Sequence, residues 1–148
     1  MKHKLSVVSK IDGSGGLQYV DLNEVIYFES MGSTPQIVVH TLTEEFYIWG
    51  TLKVWTNVLK ESGYEEFFSV DRNYLINIRK VKRLDDQYKM AYFEYEISKG
   101  SKVCTLAWEK YKSVSAKLRA LNQPFIQIKS NDDKMAIILK IKEATSHA

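Results

Sequence analysis

Cysteine is almost absent. The 148-residue chain carries one, Cys104, so no intramolecular disulfide can form. Flanked by Val103 and Leu106, it reads as a small buried strand residue in a reducing compartment, with no nearby His or basic partner to make it a nucleophile. Long apolar runs are missing too: the longest are a few residues, far short of a membrane span, and the opening MKHKLSVVSKIDG lacks the apolar core of a secretory signal. A cytoplasmic protein without a membrane partner is expected. Histidine is scarce and scattered (His3, His40, His147), no metal-ligand spacing occurs, no Ser or Cys sits in a nucleophile motif, and Glu29, Glu65 and Glu66 stand in no recognisable pairing. No enzyme and no cofactor are expected, and His40 reads as a surface or half-buried residue at a strand end. Gly13, Gly15 and Gly16 lack the lysine and following helix of a phosphate loop, which leaves them a turn.

The composition that remains is that of an ordinary globular domain. Hydrophobic residues make up 45% and charged residues 26%, enough to bury a core without staples. One domain with a short extension is the expected organisation. The formal net charge of +3 permits nucleic-acid binding without demanding it, so the placement of cations matters more than their sum.

Along the chain, KLSVVSK and LQYV flank the glycine turn as a hairpin. Residues 24–30 and 36–41, rich in β-branched and aromatic side chains, predict strands separated by the loop MGSTP, and residues 46–49 predict another. Thr51 then caps a helix with apolar positions Leu52, Trp55, Val58 and Leu59, stopped by Gly63. Its stripe marks it for core packing rather than DNA recognition. Residues 92–97 and 102–106 predict a hairpin about Ser98, Lys99, Gly100 and Ser101. Trp108, Tyr111, Ser115, Leu118 and Leu121 follow at helical spacing, with Lys117 and Arg119 on a solvated face. After Pro124, FIQIKS, Asn131-Asp132-Asp133 and MAIILKIK predict a further hairpin, whose Ile137, Ile138 and Leu139 need a partner surface.

The most informative run is FFSVDRNYLINIRKVKRLD, residues 67–85. Val70, Leu75, Ile76 and Ile78 anchor it, while Asp71, Arg72 and Asn73 form a polar corner. The cations Arg79, Lys80, Lys82 and Arg83 follow, and strand alternation would turn at least two to solvent. A cationic strand beside a polar loop suits phosphate positioning with base reading, or is a solvated strand face with a tight turn. Phe67, Val70, the string Asp71-Arg72-Asn73-Tyr74-Leu75-Ile76-Asn77 and Val81 resemble the F-x-x-V/C-H-R-S-Y-L-V-N-x-x-x-I signature of the LytTR (LytR/AlgR-type) DNA-binding domain family. DLNEVIYFES, residues 21–30, resembles that family's I-x-Y-I/F-E-S strand, and residues 46–59 its strand and short helix. The resemblance runs from about residue 17 to 121. It implies a mainly β fold with one or two helices, antiparallel β-sheets in an elongated domain; residues 1–121 are then the DNA-binding domain, and 122–148, which the family pattern does not cover, a C-terminal hairpin extension.

The resemblance also implies where double-stranded DNA is met: Ser33, Thr34, Pro35 and Gln36 after the F-E-S strand; Asp71, Arg72 and Asn73 at the corner; and residues 105–112, among them Thr105, Trp108, Lys110 and Lys112. Arg72 is the residue for base reading, because a guanidinium can grip guanine N7 and O6 in two parallel bonds. Gln36 and Asn73 can pair with adenine or serve their own turns. Lys110 and Lys112 would neutralise phosphates. The family's corner His is Asp71 here and its Ser is Asn73; Asp71 either orients Arg72 through a salt bridge or accepts from a cytosine amine. The family's Ser-Arg pair falls near Trp108, which either meets DNA or covers the core at the helix start.

The expected function is a sequence-specific, double-stranded DNA-binding transcription regulator that inserts loops into major grooves, with no receiver domain in the chain, acting as a homodimer through the C-terminal hairpin. The alternative is a regulatory protein-interaction module on the same fold with weakened or lost DNA binding. A third reading, single-stranded nucleic acid binding, draws on Tyr74, Tyr88, Tyr92 and Tyr95 near cations, which otherwise read as cross-strand packing.

Overall fold

Alternation within Lys4–Val8 sends Leu5 and Val7 to one side and Lys4 and Ser6 to the other, which fixes the face that must be covered. In the computed structural model, residues 3–128 are described, and the chain divides into two units, Met1–Ile78 and Arg79–Ala148.

The first unit is a seven-stranded sheet with one helix. Strands β1 (Lys4–Val8), β2 (Leu17–Asp21), β3 (Tyr27–Ser30), β4 (Gln36–His40), β5 (Glu45–Trp49), β6 (Phe67–Asp71) and β7 (Tyr74–Asn77) are ordered β2-β1-β5-β4-β3-β7-β6. Every pairing in this sheet is antiparallel. The β1–β2 hairpin closes on the glycine turn as expected, with Lys4 opposite Asp21. The strand expected from residue 24 starts only at Tyr27, because Leu22–Glu24 is a 3-10 turn whose cap, Asp21, accepts from the Asn23 amide at 2.9 Å. Val7, Val25, Phe28, Ile37, Val39, Ile48 and Leu75 lie in the core cluster of this unit.

Helix α1 (Leu52–Glu61) closes that core. Thr51 Oγ1 accepts from the Val54 amide at 3.2 Å, the cap read from the sequence, and Gly63 past the end has φ +87°. Leu59 is buried and Leu52 and Trp55 pack against the core, whereas Val58 turns to solvent. Gly50 is required by a close approach: at φ +125°, a Cβ there would stand 2.7 Å from Trp55 Nε1, which donates to the Trp49 carbonyl at 2.9 Å.

His40, read as a surface or half-buried residue, is instead buried. It is 4% exposed, its Nε2 lies 2.8 Å from Glu29 Oε1, and its ring stacks on Tyr27 at 4.1 Å. The β3–β4 register sets Tyr27 beside His40, so a cross-strand pair decides its place.

The second unit holds β8 (Arg83–Asp85), β9 (Met90–Tyr92), β10 (Val103–Thr105), α2 (Trp108–Ala120) and β11 (Ile126–Ile128), with sheet order β10-β9-β8-β11. β8, β9 and β10 are antiparallel neighbours, and β11 joins β8 in parallel. The expected hairpin is present with other limits: β9 ends at Tyr92, and the turn at Ser98 and Ser101, closed by a 3.2 Å backbone bond, lies in a longer connection. α2 buries Tyr111, Val114, Ser115 and Leu118, and Cys104 is buried as read. Leu121, counted on the stripe, is exposed. Residues 129–148, with the rest of the expected C-terminal hairpin, lie outside the described residues.

The cationic run is not one strand. Ile78–Lys80 is a 3-10 turn, and Arg83, one of the four cations of which at least two were expected to face solvent, is 1% exposed. Its Nη1 donates to the Tyr95 carbonyl at 2.8 Å, and burial lowers its pKa from the ordinary arginine value against the opposing influence of Tyr92 and Asp85. Arg83 is therefore structural, which leaves Arg79 as the exposed cation of the run.

Leu75→Ala should lower unfolding stability by about 2–5 kcal/mol, from lost burial plus cavity, and Thr51→Ala by about 1 kcal/mol. Urea unfolding of both variants checks this; equal losses would contradict the placement of Leu75 at the centre and Thr51 at a helix end.

Candidate nucleic-acid interface

Two exposed loops of the first unit meet at one end of its sheet. Residues 31–35 connect β3 to β4, and Arg72 and Asn73 connect β6 to β7. Because Glu29 pairs with Tyr74, the end of β3 and the start of β7 are neighbours, and the Ser30 amide donates to the Asn73 carbonyl at 2.9 Å. The structure thus brings together Ser33, Thr34 and Gln36 with Arg72 and Asn73.

Local chemistry shapes each loop. Pro35 and Gln36 follow two exposed residues, the Gln36 amide donates to the Thr34 carbonyl at 2.8 Å, and the Gly50 amide donates to that of Pro35 at 2.8 Å. Ser33 and Thr34 remain exposed at the tip, with Gln36 half-buried where β4 begins. At the corner, Asp71 Oδ1 accepts from the Asn73 amide at 3.0 Å, beside a register shift in β6 between Ser69 and Asp71. The carboxylate that replaces the family's His is thus a turn cap, not the salt-bridge partner of Arg72. Arg72 and Asn73 are exposed, and among the described residues their side chains have no hydrogen-bond partner.

In the second unit, Thr105 is exposed at the end of β10, and Lys110 and Lys112 are exposed on α2. Trp108 does not cover the core: it is 72% exposed. The buried stripe of α2 begins at Tyr111, and the indole of Trp108 meets an ammonium, Lys89 Nζ, at 4.7 Å from its ring. Sequence reasoning missed Lys89. It ends the β8–β9 turn at φ +53°, its Nζ donates to the Asp86 carbonyl at 2.5 Å and lies 4.6 Å from the Tyr111 ring, and its own carbonyl accepts from the Leu106 amide at 2.8 Å. Lys89 thereby ties the turn to the segment that leads into α2. The only local signal was the turn-prone DDQ before it; the ring contacts arise from the fold.

Asp86, Lys89, Trp108 and Tyr111 line a groove of about 560 Å³ with Lys112, Ser115, Arg119 and Gln127. Gln127 on β11 bonds both Arg119 Nη2 (2.8 Å) and the Tyr111 hydroxyl (3.2 Å), which places Arg119 on the groove wall rather than on a plain solvated face. Tyr74, one of the tyrosines open to a stacking role, packs edge-on against Tyr27 at 5.7 Å, the cross-strand alternative. Among the described residues, no cluster of His, Cys, Asp and Glu is arranged to hold a metal, and no helix is long and apolar enough to cross a membrane.

Comparison with known proteins identifies the family and the fold. The profile of the LytTr DNA-binding domain matches residues 15–119. A solved LytTr DNA-binding domain, from a Bacillus cereus protein assigned as a methyl-accepting/DNA response regulator, superposes with a TM-score of 0.58 at 14% identity, covering 80% of this chain and 98% of that one. No curated protein matches the sequence significantly. An antiparallel sheet, matched by that profile over residues 15–119, defines a DNA-binding domain of transcription regulation. The chain belongs to the LytTr DNA-binding domain family.

Burial raises the Tyr111 phenol to about 12 from 10.0, opposed by its bond from Gln127. Since the folded state holds this proton more tightly, its contribution is complete below pH 10 and is lost as pH rises through about 12. Stability measured across that range should decline less steeply in Tyr111→Phe; an unchanged slope would contradict a buried phenol.

Proposed function

We propose that this chain is a sequence-specific, double-stranded DNA-binding transcription regulator whose loops enter major grooves. The observation that supports it most is the pair of exposed loops joined by the Ser30–Asn73 bond, which presents an unengaged Arg72 at the same end of the sheet as Ser33, Thr34 and Gln36. Arg72 reads a base, Asn73 and Gln36 support it, and Thr105, Trp108, Lys110 and Lys112 form a second contact region in which the lysines neutralise phosphates. The turn-capping role of Asp71 favours this over an interaction module without DNA binding, because its carboxylate is already engaged by an amide.

In this reading residues 1–121 are the DNA-binding domain, 122–148 an extension, and two copies act as a dimer. The protein works in the cytoplasm.

Selection of sites from a random duplex pool tests the specificity. Arg72→Ala should cost about 1–3 kcal/mol on the selected duplex and relax preference at one position. With about five phosphate contacts, log affinity should fall with log salt at a slope near −4.5. A flat salt response, or an Arg72→Ala variant that selects the same sites with undiminished affinity, would sink this assignment.

A further inference from the structure

A second surface flanks the corner. Helix α1 packs Leu52, Trp55 and Leu59 toward the core, and this leaves Lys53 and Asn57, four residues apart, on another face of the helix. That face is one wall of a groove of about 320 Å³, lined by Leu52, Lys53, Thr56, Asn57, Ser69 and Arg72. The other wall is β6 at its register shift and the tip of the corner. Lys53, Asn57, Ser69 and Arg72 are exposed, and none has a side-chain partner among the described residues. Thr56 spends its hydroxyl on the Leu52 carbonyl at 2.6 Å.

The lining selects the ligand. Two cations stand with no carboxylate, together with an amide and a hydroxyl that donate, while Leu52 is the one apolar side chain. Such a surface lacks the apolar walls that hold an organic ligand and suits a compact, hydrated oxyanion. Because Arg72 shares the wall, an oxyanion here sits next to the base which Arg72 addresses.

We infer that this groove is a backbone-phosphate seat: Lys53 neutralises one DNA phosphate, Asn57 and Ser69 donate to it, and the seat fixes the register in which Arg72 meets its base. This rests on the proposed duplex binding and adds to it a helix that the sequence assigned to packing alone. Both roles hold at once, since the packing face and the groove face of α1 are different residues.

The test is fluorescence anisotropy on the duplex selected by the full chain and on a scrambled duplex of equal length, across a salt series. Lys53→Gln should weaken both by the same factor, about eightfold near 100 mM salt, and make the salt slope shallower by about 0.9, the loss of one phosphate contact. Asn57→Ala should weaken both without altering the slope. Lys60→Gln, on the same helix but outside the groove, should change neither. If Lys53→Gln leaves the slope intact, or Lys60→Gln reproduces its effect, the seat does not exist while duplex binding stands. If the parent protein binds no duplex, the proposed function fails and the seat with it. Amide spectra of each variant, matched to the parent, separate these results from misfolding.

Discussion

The antiparallel pairing of β3 with β7 is the constraint on which the proposed interface depends. It sets Tyr27 opposite Ile76, Phe28 opposite Leu75 and Glu29 opposite Tyr74, joining segments nearly fifty residues apart in sequence. Phe28 and Leu75 are fully buried at this junction, so a slip of one residue would turn both to the wrong face. The same register delivers the Ser30 amide to the Asn73 carbonyl and brings two loops to one end of the sheet. A core requirement and a functional arrangement are met by one ladder.

Around that junction, polar groups do local jobs that leave the exposed ones free. Asp71 holds the corner turn, His40 Nε2 pairs with Glu29 Oε1, and Thr51 starts the helix that seals the core. Arg83 and Lys89 are cations drawn into structure, one against a carbonyl and one against two rings. What remains solvated is a smaller set than the charge run implied, and Arg72 belongs to it. This matters for recognition, because a guanidinium already bound within the fold would have to break that contact before reading a base.

Much of the architecture was legible because its signals are local. The β1–β2 glycine turn, the Thr51 cap and Gly63 stop, the polar corner at Asp71-Arg72-Asn73 and the buried Cys104 each follow from a few neighbouring residues, and the family signature ordered them. Where the fold departed from expectation, distant partners decided. Arg83 is buried where Tyr95 offers a carbonyl across the second unit, Trp108 stands exposed with the Lys89 ammonium over its ring, and β11 lies parallel to β8 through a pairing some forty residues apart. His40 illustrates the same limit: nothing near it in sequence announces Tyr27 and Glu29 as neighbours. The roles of α1 show the converse, since a stripe that correctly marks packing says nothing of the other face.

The most direct test of the account is an amide-resolved NMR titration of the full chain with the duplex it selects. The account predicts that Ser33, Thr34, Arg72 and Asn73 shift together and saturably, while Leu42 and Thr43, in the turn at the opposite end of β4 and β5, stay in place. Shifts confined to that opposite turn, or no saturable shift at the joined loops, would contradict it.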